Sequence, residues 1–159
     1  MQYNHELDKY KITSTDTLKN CIYGGRGIVC LVAPSNKAHT YRFSKPKNTS
    51  DFPEDVIFVT VLHERKYFYI GMIEKGKFRR TKNSRFEEDN ESVKGAKYLV
   101  ELASNETAFN NTPMRMFHAG KCAVCGRKLD SARGIAQGVG PKCIRKLNSK
   151  LNANQSETI

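Results

Sequence analysis

His118, Cys122, Cys125 and Cys143 stand at the spacing H-x3-C-x2-C-x17-C. Three thiols and an imidazole make a closed set of soft and borderline donors, which is what structural Zn²⁺ takes in tetrahedral sites. The short gap between Cys122 and Cys125 lets one tight turn aim both sulfurs at a point. Gly126, directly after, can supply the positive φ of such a knuckle. Cys143 follows Gly140-Pro141-Lys142, a helix opening in which proline loses nothing, because the first N–H groups have no intrahelical partner. The partial positive charge of that helix end favours a Cys143 thiolate. One structural Zn²⁺ is the expected cofactor. Asp130, Cys21, Cys30, His39 and His63 are rivals of His118 for the fourth position, without comparable local spacing.

These ligands need a scaffold that brings the knuckle to the helix. Arg127-Lys128-Leu129 is expected to pair with a return strand near Ile135, through a turn at residues 130–134. A helix then runs from Lys142 to about Asn152. Knuckle, hairpin and a helix whose first turn donates a ligand is the plan of a treble-clef-like zinc finger. On that helix Cys143, Ile144, Leu147 and Leu151 share one side, while Lys142, Arg145, Lys146 and Lys150 share the other with no acid among them. Together with Arg127 and Lys128 they make a candidate phosphate-contacting face; the plainer alternative is a solvated lysine-rich surface.

The run His118-Ala119-Gly120-Lys121-Cys122-Ala123-Val124-Cys125-Gly126-Arg127-Lys128-Leu129, with Gly138-Val139-Gly140-Pro141-Lys142-Cys143 after it, resembles a zinc-binding domain family of unassigned function common in bacteriophage and prophage proteins. That pattern reads H-x-G-x-C-x-x-C-G-R-x-L, then G-x-G-P-x-C. The resemblance implies zinc at His118, Cys122, Cys125 and Cys143, and a phage or phage-derived origin. Asp130-Ser131-Ala132-Arg133 stands where that family often carries a Pro-Glu-Ser-like turn. The resemblance is confined to the C-terminal part and brings no activity with it.

Upstream the pattern changes from ligands to β-periodicity. A short helix is expected around Asp16 to Tyr23, ended by Gly24-Gly25-Arg26-Gly27. That glycine run precedes a strand, whereas phosphate-cradling loops follow one and open a helix, so it reads as a turn. Ile28–Val32, Tyr41–Phe43, Val56–Leu62, Tyr67–Ile73 and Lys77–Arg79 read as strands, with connections too short for parallel crossovers. Pro46 to Pro53 and the charged stretch 82–91 read as loops. Ser92 can cap a helix to about Ser104, in which Val93, Ala96, Leu99, Val100 and Ala103 recur on one face. Asn105 to Pro113 reads as a linker. The expected class is α+β: a small antiparallel β-meander or half-barrel with a helix, plus the C-terminal zinc finger. Residues 1–111 form the β-rich part, with its helix at about 92–104, and 112–159 the zinc module.

The formal charge is +11, and residues 112–159 hold nine Lys and Arg against two acids. Such a field favours nucleic-acid phosphate or an acidic protein as partner. Lys77, Arg79, Arg80, Lys82 and Arg85, interleaved with Phe78 and Phe86, make a second basic cluster. Tyr67 and Tyr69 share one face of the neighbouring strand, an arrangement able to stack bases, unless those rings are core. No apolar stretch is long enough for a membrane span, and the N-terminus lacks a signal-peptide pattern. Cys21 and Cys30 read as buried hydrophobes in a reducing, cytoplasmic setting. No Ser/His/Asp or Cys/His arrangement has a recognisable spacing, so the expectation is a non-enzymatic nucleic-acid-binding protein. The alternative is an interaction module, such as a phage factor that inhibits or redirects an acidic host protein.

Overall fold

The β-branched run before His63 lies in the middle of a six-stranded antiparallel sheet, curled as a half-barrel. The computed structural model describes residues 4–46 and 55–148. The strands are β1 (Arg26–Val32), β2 (Ala38–Ser44), β3 (Ile57–His63), β4 (Lys66–Glu74), β5 (Lys77–Arg79) and β6 (Arg115–His118), in the order β5-β4-β3-β2-β1-β6. The first five form the expected meander. β6 returns from the C-terminal part and pairs outside β1, with Cys30 opposite Phe117. Periodicity did not announce it, because Met116 and Phe117 are buried on opposite faces and leave no alternation to read.

Among the described residues five α-helices accompany the sheet: α1 (Thr15–Tyr23), α2 (Glu91–Ala103), α3 (Glu106–Asn111), α4 (Ala132–Gln137) and α5 over residues 141–148. Three local readings need correction. The N-cap of α2 is Asn90, whose side chain accepts from Ser92 N at 2.9 Å, rather than Ser92 itself. The expected linker Asn105–Pro113 contains α3, capped by Asn105 and anchored by buried Phe109. The return strand expected near Ile135 is α4. Ser131 caps its start, and Gly138, at φ 73°, closes its end with an N–H to Gly134 O. A six-residue helix is too short to show a periodic face, but this Ser and Gly bracket is its local signature.

One face of the sheet carries the main core. Val29, Leu31, Tyr41, Phe43, Val59 and Val61 pack there with Leu18 and Ile22 of α1 and Leu99 of α2. Tyr41 donates from its hydroxyl to Ser92 O at 2.6 Å. Gly95 lets α2 come that close, since a Cβ there would lie 2.3 Å from the Tyr41 hydroxyl. The opposite face is covered at its β1–β6 end by the 3-10 turn His5–Tyr10, where Leu7 packs on Cys30, Val32 and Phe117. Further across, Phe58, Leu62, Tyr67 and Tyr69 are only half-buried and Arg42 is exposed. A β-bulge sets which side chains appear there: Val59 pairs with Gly71 and Thr60 with Tyr69, so Ile70 is the extra residue. Ile70 turns into the core at 0% exposure, and Tyr67, Tyr69 and Met72 all remain on the opposite face.

The cysteine-rich segment sits against the start of this sheet. Arg26 N donates to Ala123 O at 2.7 Å. Thr17 and Asn20 of α1 donate to the carbonyls of Ala136 and Gln137. The glycine run upstream makes this contact possible: a Cβ on Gly24 would lie 2.6 Å from Ala123 O. Gly24 and Gly25 link α1 to β1, which already begins at Arg26, so only the first half of the run is a turn; it is also the docking point of the knuckle.

Candidate metal centre

The knuckle is a local product of its sequence. Cys122 N donates to Arg127 O at 2.7 Å and Gly126 N to Cys122 O at 2.9 Å. Gly126 takes the left-handed conformation, at φ 80°. Lys121 and Lys128 pair as an isolated bridge across it. Pro141 lies in the first turn of α5, and Ile144 N reaches back to Gly140 O at 2.9 Å. That turn presents Cys143 to the knuckle.

The Sγ atoms of Cys122, Cys125 and Cys143 lie within 4.8 Å of one another. Tetrahedral Zn–S bonds of about 2.3 Å would set sulfurs roughly 3.8 Å apart, so these three cysteines could hold a metal ion after a small contraction. Thiolate donors suit zinc, copper(I) or iron. Backbone N–H groups of Val124 and Gly140 already point at Cys122 Sγ, each at 3.4 Å. Such donors orient a thiolate and lower its charge, the supporting role expected around a metal.

Electrostatics without metal divide the cysteines. Burial opposes ionisation of Cys122, but N–H groups of Cys125, Gly140 and Val124 outweigh it and bring the thiol down to about 7. Cys143 goes the other way, to about 11, through burial first and then through its contacts with Cys122 and Cys125. Of these two thiols Cys122 is therefore the readier to ionise, and the helix end does not outweigh the burial of Cys143. A metal cation would reverse this by attracting all three thiolates.

His118 is not brought into the cluster. Among the described residues no fourth His, Cys, Asp or Glu joins the three cysteines within that mutual reach. His118 is 1% exposed, on β6, and both its ring nitrogens are engaged. Nδ1 accepts from Gly120 N at 3.0 Å. That assigns the proton to Nε2, which donates to Ile135 O at 2.6 Å. The ring also lies against Tyr10, with centroids 5.3 Å apart. Burial, opposed by the bond to Ile135, holds the imidazole below its ordinary pKa. In this arrangement His118 ties the sheet to α4 through Ile135 O.

Its rivals are also placed. Cys21 is buried under the module, near enough that a Cβ on Gly138 would lie 3.0 Å from its Sγ. Burial, then the charge of Cys122, pushes its thiol up to about 12. Cys30 is buried beneath the N-terminal turn, His39 lies beside Glu91, His63 packs on Phe68 and Phe86, and Asp130 is exposed.

The expected phosphate contacts separate into two groups. Arg127, Lys128, Lys142, Arg145 and Lys146 are exposed, and among the described residues none pairs with a carboxylate. Lys150 and Leu151 lie outside the described residues. Behind α5 is a cleft of about 450 Å³, lined by Arg26, Ser44, Lys45, Val124, Lys146 and Leu147 together with Gly24 and Gly25. Arg26 and Lys45, which sequence spacing did not single out, thus share a cleft with Lys146. In the second group, Arg80 is committed internally: Nε donates to Phe86 O at 2.8 Å and the guanidinium pairs with Glu87 at 3.3 Å. Arg79 pairs with Glu74 at 3.5 Å, Arg85 lies 5.5 Å over the Phe68 ring, and Lys77 and Lys82 are exposed. Phe78 and Phe86 pack on the main core.

Comparison with known proteins agrees with the position of this centre. Residues 117–148, about a fifth of the chain, match the model of a family of unknown function, DUF6011. The matched stretch takes in His118, all three clustered cysteines and the whole of α4. No curated protein and no solved structure matches the chain.

Proposed function

We propose that this protein binds nucleic acid through its phosphate backbone, without catalysis, and that the cysteine cluster holds one structural Zn²⁺. The observation that carries the reading is the cleft behind α5, where Lys146 of the cysteine module faces Arg26 and Lys45 of the sheet. Among the described residues no carboxylate lines it. Arg26 of β1 and Lys146 of α5 come from separate segments and converge on one cleft, which supports a polyanion as its occupant.

Zinc serves this arrangement from a distance. Cys143 fixes the first turn of α5, and α5 carries Lys142, Arg145 and Lys146 outward. Metal at Cys122, Cys125 and Cys143 would hold that turn against the knuckle, whose own buried side chains are few. A thiolate-bound metal also fits a reducing, cytoplasmic setting.

The test is a mobility shift of the purified zinc-loaded protein on single-stranded and duplex DNA and RNA over a salt series. Affinity should fall by about 0.7–0.9 log units per log unit of salt for each phosphate contact. Lys146→Glu combined with Lys45→Glu should abolish the shift while leaving zinc content unchanged. Absence of any shift at low salt, or a flat salt response, would overturn the reading.

A further inference from the structure

We infer that the face of the sheet opposite the main core stacks unpaired bases, so that the nucleic acid held by this protein is single-stranded. The inference rests on the nucleic-acid reading above and narrows its substrate class. Strand register puts Arg26, Ser44, Phe58, Met72 and Arg79 in one row across β1 to β5. Arg42, Thr60 and Tyr69 lie in the next row, and Tyr67 stands opposite Leu62 beyond it. Phe58, Tyr67 and Tyr69 therefore occupy adjacent rows of the face that the main core does not use.

These rings are held as a platform. Phe58 and Tyr69 meet edge to face, with centroids 6.0 Å apart and planes at 85°. Thr81 Oγ1 donates to the Tyr69 hydroxyl at 3.0 Å and so fixes that ring. The Arg42 guanidinium lies over the Tyr67 ring, 4.0 Å from its centroid. Planar guanidinium and aromatic faces are the groups on which splayed bases stack. Elsewhere on the same face, Leu7 covers the rings and aliphatic groups of the β1–β6 end. At the β2–β4 end Tyr67 and Tyr69 stay half-buried, so part of each ring reaches solvent.

Charge selects the occupant. Among the described residues, strand register sets Arg42, Lys77 and Arg79 on this face together with Glu74, which pairs with Arg79. Arg26 belongs both to the first row and to the cleft behind α5. A strand crossing the face would stack bases on the aromatics and carry its phosphates towards Lys146. A duplex hides its base faces, and the carboxylates of an acidic peptide offer no aromatic face to stack on the rings.

The test measures fluorescence anisotropy of the full-length zinc-loaded protein with oligo(dT), oligo(rU), an abasic strand and a duplex, all of equal length. Oligo(dT) and oligo(rU) should bind about tenfold or more tighter than the abasic strand, the gain expected from even one stacked base. Tyr67→Ala with Tyr69→Ala should reduce oligo(dT) affinity to the abasic level and leave duplex binding unchanged. Tyr67→Phe with Tyr69→Phe should keep the preference. If the alanine variant does not fold, the comparison of oligo(dT) with the abasic strand in the wild type decides the matter. Binding of every probe with no preference for bases overturns this inference alone. Binding of none at low salt overturns the broader reading with it.

Discussion

The sheet and the cysteine module solve the same problem with opposite means. Among the described residues the main cluster buries twenty-one residues between β-strands and α1, α2 and α3, whereas the module's own cluster buries five. Burying a large aliphatic side chain contributes about 1.5–3 kcal/mol. The first cluster can therefore offset its conformational entropy through packing alone. The second buries far less, and three cysteines around one point could hold a metal ion as a cross-link in its place. The difference teaches where each part is vulnerable: the sheet to lost volume, the module to lost ligands.

Removing a ligand should produce the largest effect. Metal binding in small thiolate modules is worth on the order of 10 kcal/mol. Cys143→Ser should abolish stoichiometric zinc, measured by native mass spectrometry. Limited proteolysis should then cut between residues 119 and 148 while the β1–β5 fragment persists. Equal protease resistance in the variant and the zinc-loaded wild type would show that the module stands on packing after all.

A cavity in the sheet core should do the converse. Leu99 is 0% exposed on α2, and Leu99→Ala should cost about 2–5 kcal/mol in urea unfolding. Zinc content of the folded protein should stay at one per chain. Loss of zinc in this variant would mean that the two parts share one cooperative unit.

The smallest effect is expected at the strut between them. His118→Gln loses the bond to Ile135 O and should cost about 1–3 kcal/mol, with zinc retained. The pH dependence has a definite sign. Burial holds the folded imidazole below its ordinary pKa, so on acidification the unfolded chain takes up the proton first. The stability contributed by His118 is therefore complete above about pH 6.5 and is lost as pH falls below that value towards the folded pKa. The difference in unfolding free energy between wild type and variant should shrink over that range. Loss of zinc in His118→Gln would instead make it a ligand.

Legibility followed the range of the interactions. The knuckle was readable because Cys122, Cys125 and Gly126 act within one turn, and the Gly140-Pro141 opening of α5 is equally local. The five-strand meander was readable because each hairpin joins neighbours in sequence. The short α3 and α4 offered only caps, Asn105 and Ser131, and caps without a periodic face are easily passed over. β6 was hidden because its partner, β1, lies far back in the chain.

By itself the sequence determined the cysteine cluster, the outward cations of α5 and the apolar runs that become the sheet, since each is encoded within a few residues. Tertiary structure alone decided what His118 does: only folding brings Ile135 O to its Nε2, and a spacing rule cannot see that acceptor. It also decided the face of β4. Strict alternation along Tyr67–Ile73 would put Ile73 beside the two tyrosines, but the bulge at Ile70 shifts the register and returns Ile73 to the core. A bulge arises from the pairing of two strands, and pairing exists only once the chain has folded.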